Sequence, residues 1–530
     1  MKHTKPYIPT DIAGKLAGGF LNNPLTIVLG VFLLAIGYLS LQIMPREENP
    51  QMVVSGSTVI VALPGATAEE VEKVIVKPLE RKLKEVKGVE HIYGSAMDNV
   101  GVVNVAFFIG EKKEDSNLKV YDKIMQNSDM FPKGAMNPII KPLDIDIDIP
   151  IVSVAFFSNN PDMQKTELYD KVKTIQHHIN GLDNVAVTEL KGGNKHQFNI
   201  EVDLNRLSGY NLSMGQIVTA VQSLAYNVPA IKNRTKDNKI VMVGVKNAIE
   251  SAYDVGNIIV AQYMGSPIYL NQVAVISDAY DIQNFKKATI SVKDEESKKF
   301  SPYQEQVTLT VSKLQGTNAV IIAEEVKEEL AKYKETLAKN GINYVITRND
   351  GERANEAVNE LVFHLLLSIV IIAILLVFVL GWRESLIVTF TVPAILAITL
   401  FVAYLSGQTI NRITLFAFLL SLGLLVDAAI IVIENIHRHY HSAESAHESD
   451  HDLMVKATDE IGAPTNIATL AIIMTMVPMA FVGQMMGQFM KPIPANVPVA
   501  LIASLFVAYI FTPYLAIRML KRPDHSKGGH

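Results

Sequence analysis

Cysteine is missing from all 530 residues. Its absence removes disulfides, thiol catalysis and Cys-ligated zinc or iron–sulfur sites. It does not fix the redox compartment, since a thiol-free chain is equally safe in either. Charge is scarce as well. Asp, Glu, Lys and Arg make up only 19% of the chain, and 48 basic against 53 acidic residues leave a net charge of −5. Without a clustered basic excess, nucleic acid is not an expected partner. There is no GxxxxGK[ST] loop to cradle a nucleoside triphosphate, so ATP is not the local energy source. No nucleophile elbow is present, and nothing else points to an enzyme or a cofactor. The length exceeds one ordinary core and requires several domains.

Apolar sequence takes the place of charge. The mean hydropathy of +0.22 is high for a soluble protein of this size, and the excess lies in blocks. The first, 25–44, carries no charge. About 20 residues at a helical rise of ~1.5 Å span a ~30 Å hydrocarbon layer. Five more blocks, at 361–380, 385–406, 414–434, 464–484 and 495–517, crowd the last third. Six such runs are too many for buried helices of a soluble protein. The first is longer than the apolar part of a secretory signal, and QIMPREENP after it offers no small-x-small cleavage site. It reads as a retained anchor. Within the preceding segment, 1–24, DIAGKLAGGFLNNP reads as an amphipathic helix lying on the membrane surface.

Lys and Arg in the short loops set the orientation. With a cytoplasmic N-terminus, that side collects Lys2, Lys5, Lys15, Arg383, Arg438, Lys456, Arg518, Lys521 and Arg522. The opposite short loops hold only Arg412 and Lys491. Residues 45–360 are then extracytoplasmic, and the 435–463 loop and 518–530 tail are cytoplasmic.

The extracytoplasmic region reads as a repeated strand–helix–strand pattern. STVIVAL (57–63) is a strand, and Thr67 with Glu70 three residues on forms a capping box for a helix to about Val86. Strands near 89–96 and 101–108 and a helix near 115–130 follow. This order resembles a split βαβ unit. It recurs with a strand at 151–157, a helix at 166–179, a strand at 185–190, then a strand at 306–314, a helix at 319–337 and a strand at 342–348. The stretch between, 192–285, breaks the repeat as an inserted domain.

Asp427 is the residue that carries chemistry. It lies mid-block in TLFAFLLSLGLLVDAAIIVIENIHRHYH, where a charged Asp costs roughly 2.5–3.5 kcal/mol on insertion scales. Such residues face a bundle interior and serve a proton or ion path. Gly423 lies four residues before and Glu434 seven after, so all three fall on one helical stripe. The His-rich 437–451 segment (His437, His439, His441, His447, His451) has no fixed ligand spacing and reads as a solvated loop. Met474, Met476, Met479, Met485, Met486 and Met490 suit helix packing, with a soft-metal path as the alternative. Asp144, Asp146 and Asp148 alternate with apolar residues, as on one face of a strand. His364 reads as an interfacial structural histidine.

With LPGATAEEVEKVIVKPLE (63–80), GWRESLIVTFTVPAIL (381–396) and GLLVDAAIIVIENIHR (423–438), the chain resembles the N-terminal half of a resistance-nodulation-division (RND) efflux pump permease over essentially its whole length. The resemblance implies a polytopic α-helical membrane protein with six spans and a large periplasmic α+β region. Its porter subdomains would be 51–138 and 139–191 plus 286–350, and 192–285 would be the docking subdomain. It implies proton-driven export of amphiphilic compounds from a bacterial inner membrane, with a second half, a periplasmic adaptor and an outer-membrane channel in a trimeric assembly. Asp427 and Glu434 would couple protons, and Gly423 and Ala428 would pack near them. Ala428 stands where the multidrug branch has a second Asp, which resembles the heavy-metal branch. The insert is short between Ala230 and Val241, where multidrug pumps carry a long interlocking hairpin. The chain stops at RPDHSKGGH after the sixth block, so it is expected not to transport alone. Heavy-metal efflux and a non-transporting scaffold are the other readings.

Overall fold

The computed structural model describes residues 7–158, 160, 163, 165–223, 231–234, 240–243, 249, 251–263, 265–280, 287–294, 298–442 and 448–521. Lys2, Lys5, His447, Arg522 and, within the 230–241 stretch, residues 230 and 235–239 lie outside the described residues. A short helix, α1 (Ile12–Phe20), precedes α2 (Leu25–Ile43). After a large α/β region come α3 (Asp350–Val379), α4 (Trp382–Leu405), α5 (Arg412–His441), α6 (Asp450–Ala480), α7 (Gln484–Met490) and α8 (Pro492–Met519). Among the described residues six helical stretches, α2 to α6 and α7 with α8, are long and apolar enough to cross a membrane.

Three helices overrun the apolar blocks that announced them. α3 begins at Asp350, α5 continues to His441, and α6 begins at Asp450. The 435–463 segment expected as a loop is therefore helical over 435–441 and 450–463. Hydropathy marks only the stretch that meets lipid, whereas a helix persists wherever caps support it. The Asn349 side chain accepts from the Glu352 amide at 3.0 Å, and Ser449 accepts from the Asp452 amide at 3.1 Å. Such caps satisfy donors that have no partner within the helix.

α5 and α8 form the centre of the helical body, with Val426, Ala429, Val432, Ile433, Ala508 and Tyr509 in one buried cluster. Where α2 crosses α4, Gly37 leaves no room for a side chain. A Cβ there would lie 2.3 Å from that of Ala397. α1 is not a free surface helix. Ala13, Gly14 and Ala17 are buried, and the segment before it is pinned to α6 by Asp459. That carboxylate accepts from the Tyr7 hydroxyl (2.8 Å), the Thr10 amide and hydroxyl (3.0 and 2.9 Å) and the Asp11 amide (2.8 Å). Burial first, then the Asp459 carboxylate beside it, pushes the Tyr7 phenol up to about 12, so it stays a donor.

The region between α2 and α3 holds two sheets of one topology. In the first, β1 (Gly56–Ala62), β2 (Val89–Met97), β3 (Val100–Phe107) and β4 (Ile139–Leu143) lie in the order β2-β3-β1-β4, all antiparallel. The capping box forms: Thr67 accepts from the Glu70 amide, and Glu70 accepts from the Thr67 amide. The helical rod runs through Ala68–Val71, Glu72–Val76 and Lys77–Lys84, the middle segment as a π turn. Its Ile75 and Leu79 meet Val59, Val103 and Phe107 of the sheet in a common core.

In the second sheet, β5 (Val152–Ser158), β6 (Val185–Gly192), β7 (Gln304–Lys313) and β8 (Ile342–Asn349) lie in the order β6-β7-β5-β8, again antiparallel. Helices Lys165–Ile179 and Ala319–Lys339 cover it through Val172, Ile175, Ile322 and Val326. The strand order matches that of the first sheet, so the repeat is structural. The two-residue turn at Asp98 and Asn99 between β2 and β3 corresponds to the whole insert between β6 and β7. The insert has its own core, with Leu207, Ile217, Val255 and Leu270, and a ribbon pairing His196–Val202 with Ala274–Tyr280.

Candidate functional site

The capped start of α5 fixes the orientation of its face. The Asn411 side chain accepts from the amides of Ile413 and Thr414, both at 3.0 Å, and donates to the Thr409 hydroxyl at 3.2 Å. From there a regular helix buries Leu422, Leu425, Val426, Ala428, Ala429 and Val432 against its neighbours. The opposite stripe is Phe416, Leu420, Gly423, Asp427, Ile431, Glu434 and Arg438, and every one of these is exposed. Spacings of three and four place them in a single row.

Asp427 thus points away from the described helical body, whereas such residues are expected to face a bundle interior. Among the described residues it makes no hydrogen bond or ion pair. Gly423, one turn before it, has no atom within 4 Å of where a Cβ would stand. Gly423 therefore packs nothing, while Ala428 is buried. Apolar Leu420 and Ile431, 49% and 40% exposed, flank the carboxylate. An ionised carboxylate facing lipid would be costly. The exposed row is apolar on both sides of Asp427 and ends in Glu434 and Arg438, an open seam along α5.

Of the histidines expected in a solvated loop, His437, His439 and His441 lie on the last turns of α5 and His451 in the first turn of α6. His437 Nδ1 lies 2.9 Å from Glu384 Oε1 on α4, and His439 Nε2 lies 2.8 Å from Glu460 Oε2 on α6. Arg438 joins the same Glu460 at 3.1 Å, and the rings of His437 and His441 stack 4.1 Å apart. These contacts tie the end of the Asp427 helix to two neighbours. Among the described residues no group of three or more His, Asp or Glu is placed to hold a metal ion. Met474, Met485 and Met486 are exposed, and Met479 and Met490 pack against the apolar cluster of α4, α5 and α8.

One further expectation changes. β4 ends at Leu143, and Ile145–Asp148 is a helical turn, so the acids at 144–148 do not share one strand face. Asp144 pairs with Lys113, and Asp148 accepts from the Asp144 amide at 2.8 Å. Burial pushes the Asp148 carboxyl up, with Lys113 opposing it. His364 lies 3.7 Å from Glu360 one turn earlier on α3 and is half exposed.

Two buried carboxylates escape a reading of the sequence. Asp459 is one. The other is Glu47, just beyond α2, whose Oε1 lies 2.6 Å from Lys313 Nζ at the end of β7. The two side chains are 5% and 6% exposed. Beside this pair opens a cavity of about 420 Å³ lined by Gln51, Gln408, Asn411, Asn496 and Lys491 among others. The only signal in the sequence is the charged triplet Arg46-Glu47-Glu48 directly after an apolar block.

Long apolar helices, two α/β units of one topology inserted between the first and second of them, and an acidic residue on an open helical seam define a multi-pass membrane transporter. The class with this organisation is the RND permeases. Residues 17–530 match the model of the AcrB/AcrD/AcrF family, and the chain belongs to that family of efflux transporters.

Proposed function

We propose that the chain is the N-terminal half of a proton-driven pump and exports amphiphilic organic compounds. One observation carries the reading: among the described residues Asp427 makes no hydrogen bond or ion pair, and it lies on an exposed stripe of α5 between the apolar Leu420 and Ile431. A second six-helix half, in the same polypeptide or a separate one, would cover that stripe and supply a cation or polar group to Asp427. Ionised, the carboxylate holds that partner; protonated, it releases it. The two states give two arrangements of the bundle, and each proton crossing contributes about 2.3 kcal/mol per 100 mV. Glu434 stands at the cytoplasmic end of the same stripe and passes protons to water.

In this reading the six helices span the bacterial inner membrane with both ends of the described body cytoplasmic. Residues 51–138 and 139–191 plus 286–350 act as porter subdomains. Residues 192–285 dock a periplasmic adaptor and an outer-membrane channel in a trimeric assembly. The scattered, partly exposed methionines favour organic substrates over soft metal ions.

The test is Asp427→Asn in the chain assembled with its second half. The change keeps shape but removes the exchangeable proton. Efflux of ethidium is expected to fall at least a hundredfold with insertion and assembly unchanged, and Glu434→Gln to act more mildly. Wild-type efflux by a normally expressed Asp427→Asn variant would remove the residue from the mechanism.

A further inference from the structure

Three consecutive residues at the end of α2 each grip a different part of the molecule. Arg46 donates to Asn355 on α3 at 3.1 Å, and its carbonyl accepts from the Ala319 amide of the second α/β unit at 3.1 Å. Glu48 pairs with Arg353 on α3 and Arg412 on α5, at 3.1 and 3.3 Å. Between them Glu47 is buried. One of its oxygens faces Lys313 at 2.6 Å and accepts from Gln51 at 3.2 Å; the other accepts from the Thr409 hydroxyl at 3.0 Å. The Glu47 amide donates to Ile410 and the Ile410 amide to Pro45, at 3.0 and 2.8 Å.

The geography of this node gives it a role. Lys313 ends β7, a central strand of the second unit. Thr409 is held by Asn411, the cap of α5, and Asp427 lies sixteen residues further along the same rod, about 24 Å away at the helical rise. A buried ion pair is a poor source of stability, because apolar residues of the same volume pack as well or better. It does fix position, since sliding either partner strands a charge away from water. We propose that Glu47, Lys313 and Thr409 are positioning residues that lock the second α/β unit to the start of the Asp427 helix. Tilt or translation of α5 then moves that unit with it. This rests on the coupling role proposed for Asp427.

This chain contains no cysteine, so only cysteines of the second half, if it has any, are replaced by serine before labelling. Spin labels on Lys334→Cys, in the second unit, and Tyr404→Cys, at the end of α4, report their separation in the assembled pump by electron–electron resonance. Glu47→Gln and Lys313→Met singly should lower the melting temperature. The double change Glu47→Leu with Lys313→Met should melt like the parent, yet broaden the distance distribution and lower ethidium efflux at least fivefold. A double variant with the parent's narrow distribution and efflux within twofold would show the pair to be packing alone and overturn the proposal. Should the double variant not fold, Thr409→Val decides. It should fold with a lowered melting temperature, because the buried Glu47 carboxylate loses a donor, and broaden the distances, and unchanged distances overturn the proposal. The distance readout needs no substrate. Asp427→Asn with the node intact should keep the narrow distribution, so a failure of the coupling role is distinguishable from a failure of the node.

Discussion

Replacing Asp459 with Ala should release the N-terminal helix from the body while leaving the rest of the fold in place. The carboxylate is 5% exposed and holds four donors, two of them the backbone amides of Thr10 and Asp11. A hydrogen bond to a charged group contributes about 1.5–3 kcal/mol, but the contributions do not add, and the Tyr7 and Thr10 hydroxyls reach water once freed. Counting the two amides alone gives about 3 kcal/mol, on the order of 150-fold in the population of undocked helix. Asp459→Asn keeps one accepting oxygen and should give about half that energy, roughly a tenfold change. Ala17 is 1% exposed beneath the docked helix. A cysteine placed there is the only thiol in the molecule, and its rate of maleimide labelling reports opening. Both variants carry the same added cysteine, so any crowding it causes cancels in the comparison. Labelling accelerated less than fivefold in Asp459→Ala would mean that apolar contacts of α1, rather than the carboxylate, hold it down.

Gly37→Val forces apart α2 and α4 where a Cβ already meets Ala397, including its backbone, within 2.4 Å. Overpacking of this kind costs about 1–3 kcal/mol, and a melting temperature in detergent equal to the parent's would contradict the close crossing. The Thr67 backbone amide, then the Thr67 hydroxyl, holds the Glu70 carboxyl below the usual carboxylate range. The sign follows from that depression: the box stabilises the helix above the ordinary glutamate pKa and is lost as pH falls through the lower folded value. Amides of Ala68–Val71 should lose protection on acidification in the parent relative to Glu70→Gln. Identical acid profiles would rule the box out as the cause.

The helices that cross the membrane were legible because lipid imposes a long apolar run, and the repeat was legible from strand–helix–strand order. Helix ends were not, since Asp350 and Asp450 are charged yet capped. The acids at 144–148 misled because alternation continues past the point where β4 stops pairing with β1. The stripe through Gly423, Asp427 and Glu434 was legible from spacing alone. Its outward aspect was not, because spacing places residues on one helical face without fixing which neighbour, if any, that face meets. Asp459 and Glu47 find their partners far along the chain, Thr10 at one extreme and Lys313 and Thr409 at the other, and no local pattern announces such pairings.

The insert has a consequence for how the chain is made. β5 and β6 do not pair with each other; each pairs with β7. In the first sheet the corresponding strand follows β2 after a two-residue turn, so that unit can close as soon as it is synthesised. In the second, β7 emerges roughly 110 residues after β6, a wait of about 6–22 s at ordinary synthesis rates. For that interval two apolar strands, including the buried run Val154–Phe157, stand with bare edges while the insert folds beside them. This makes the second unit the stretch of the nascent chain most open to mispairing. Protection of the nascent chain is needed there first.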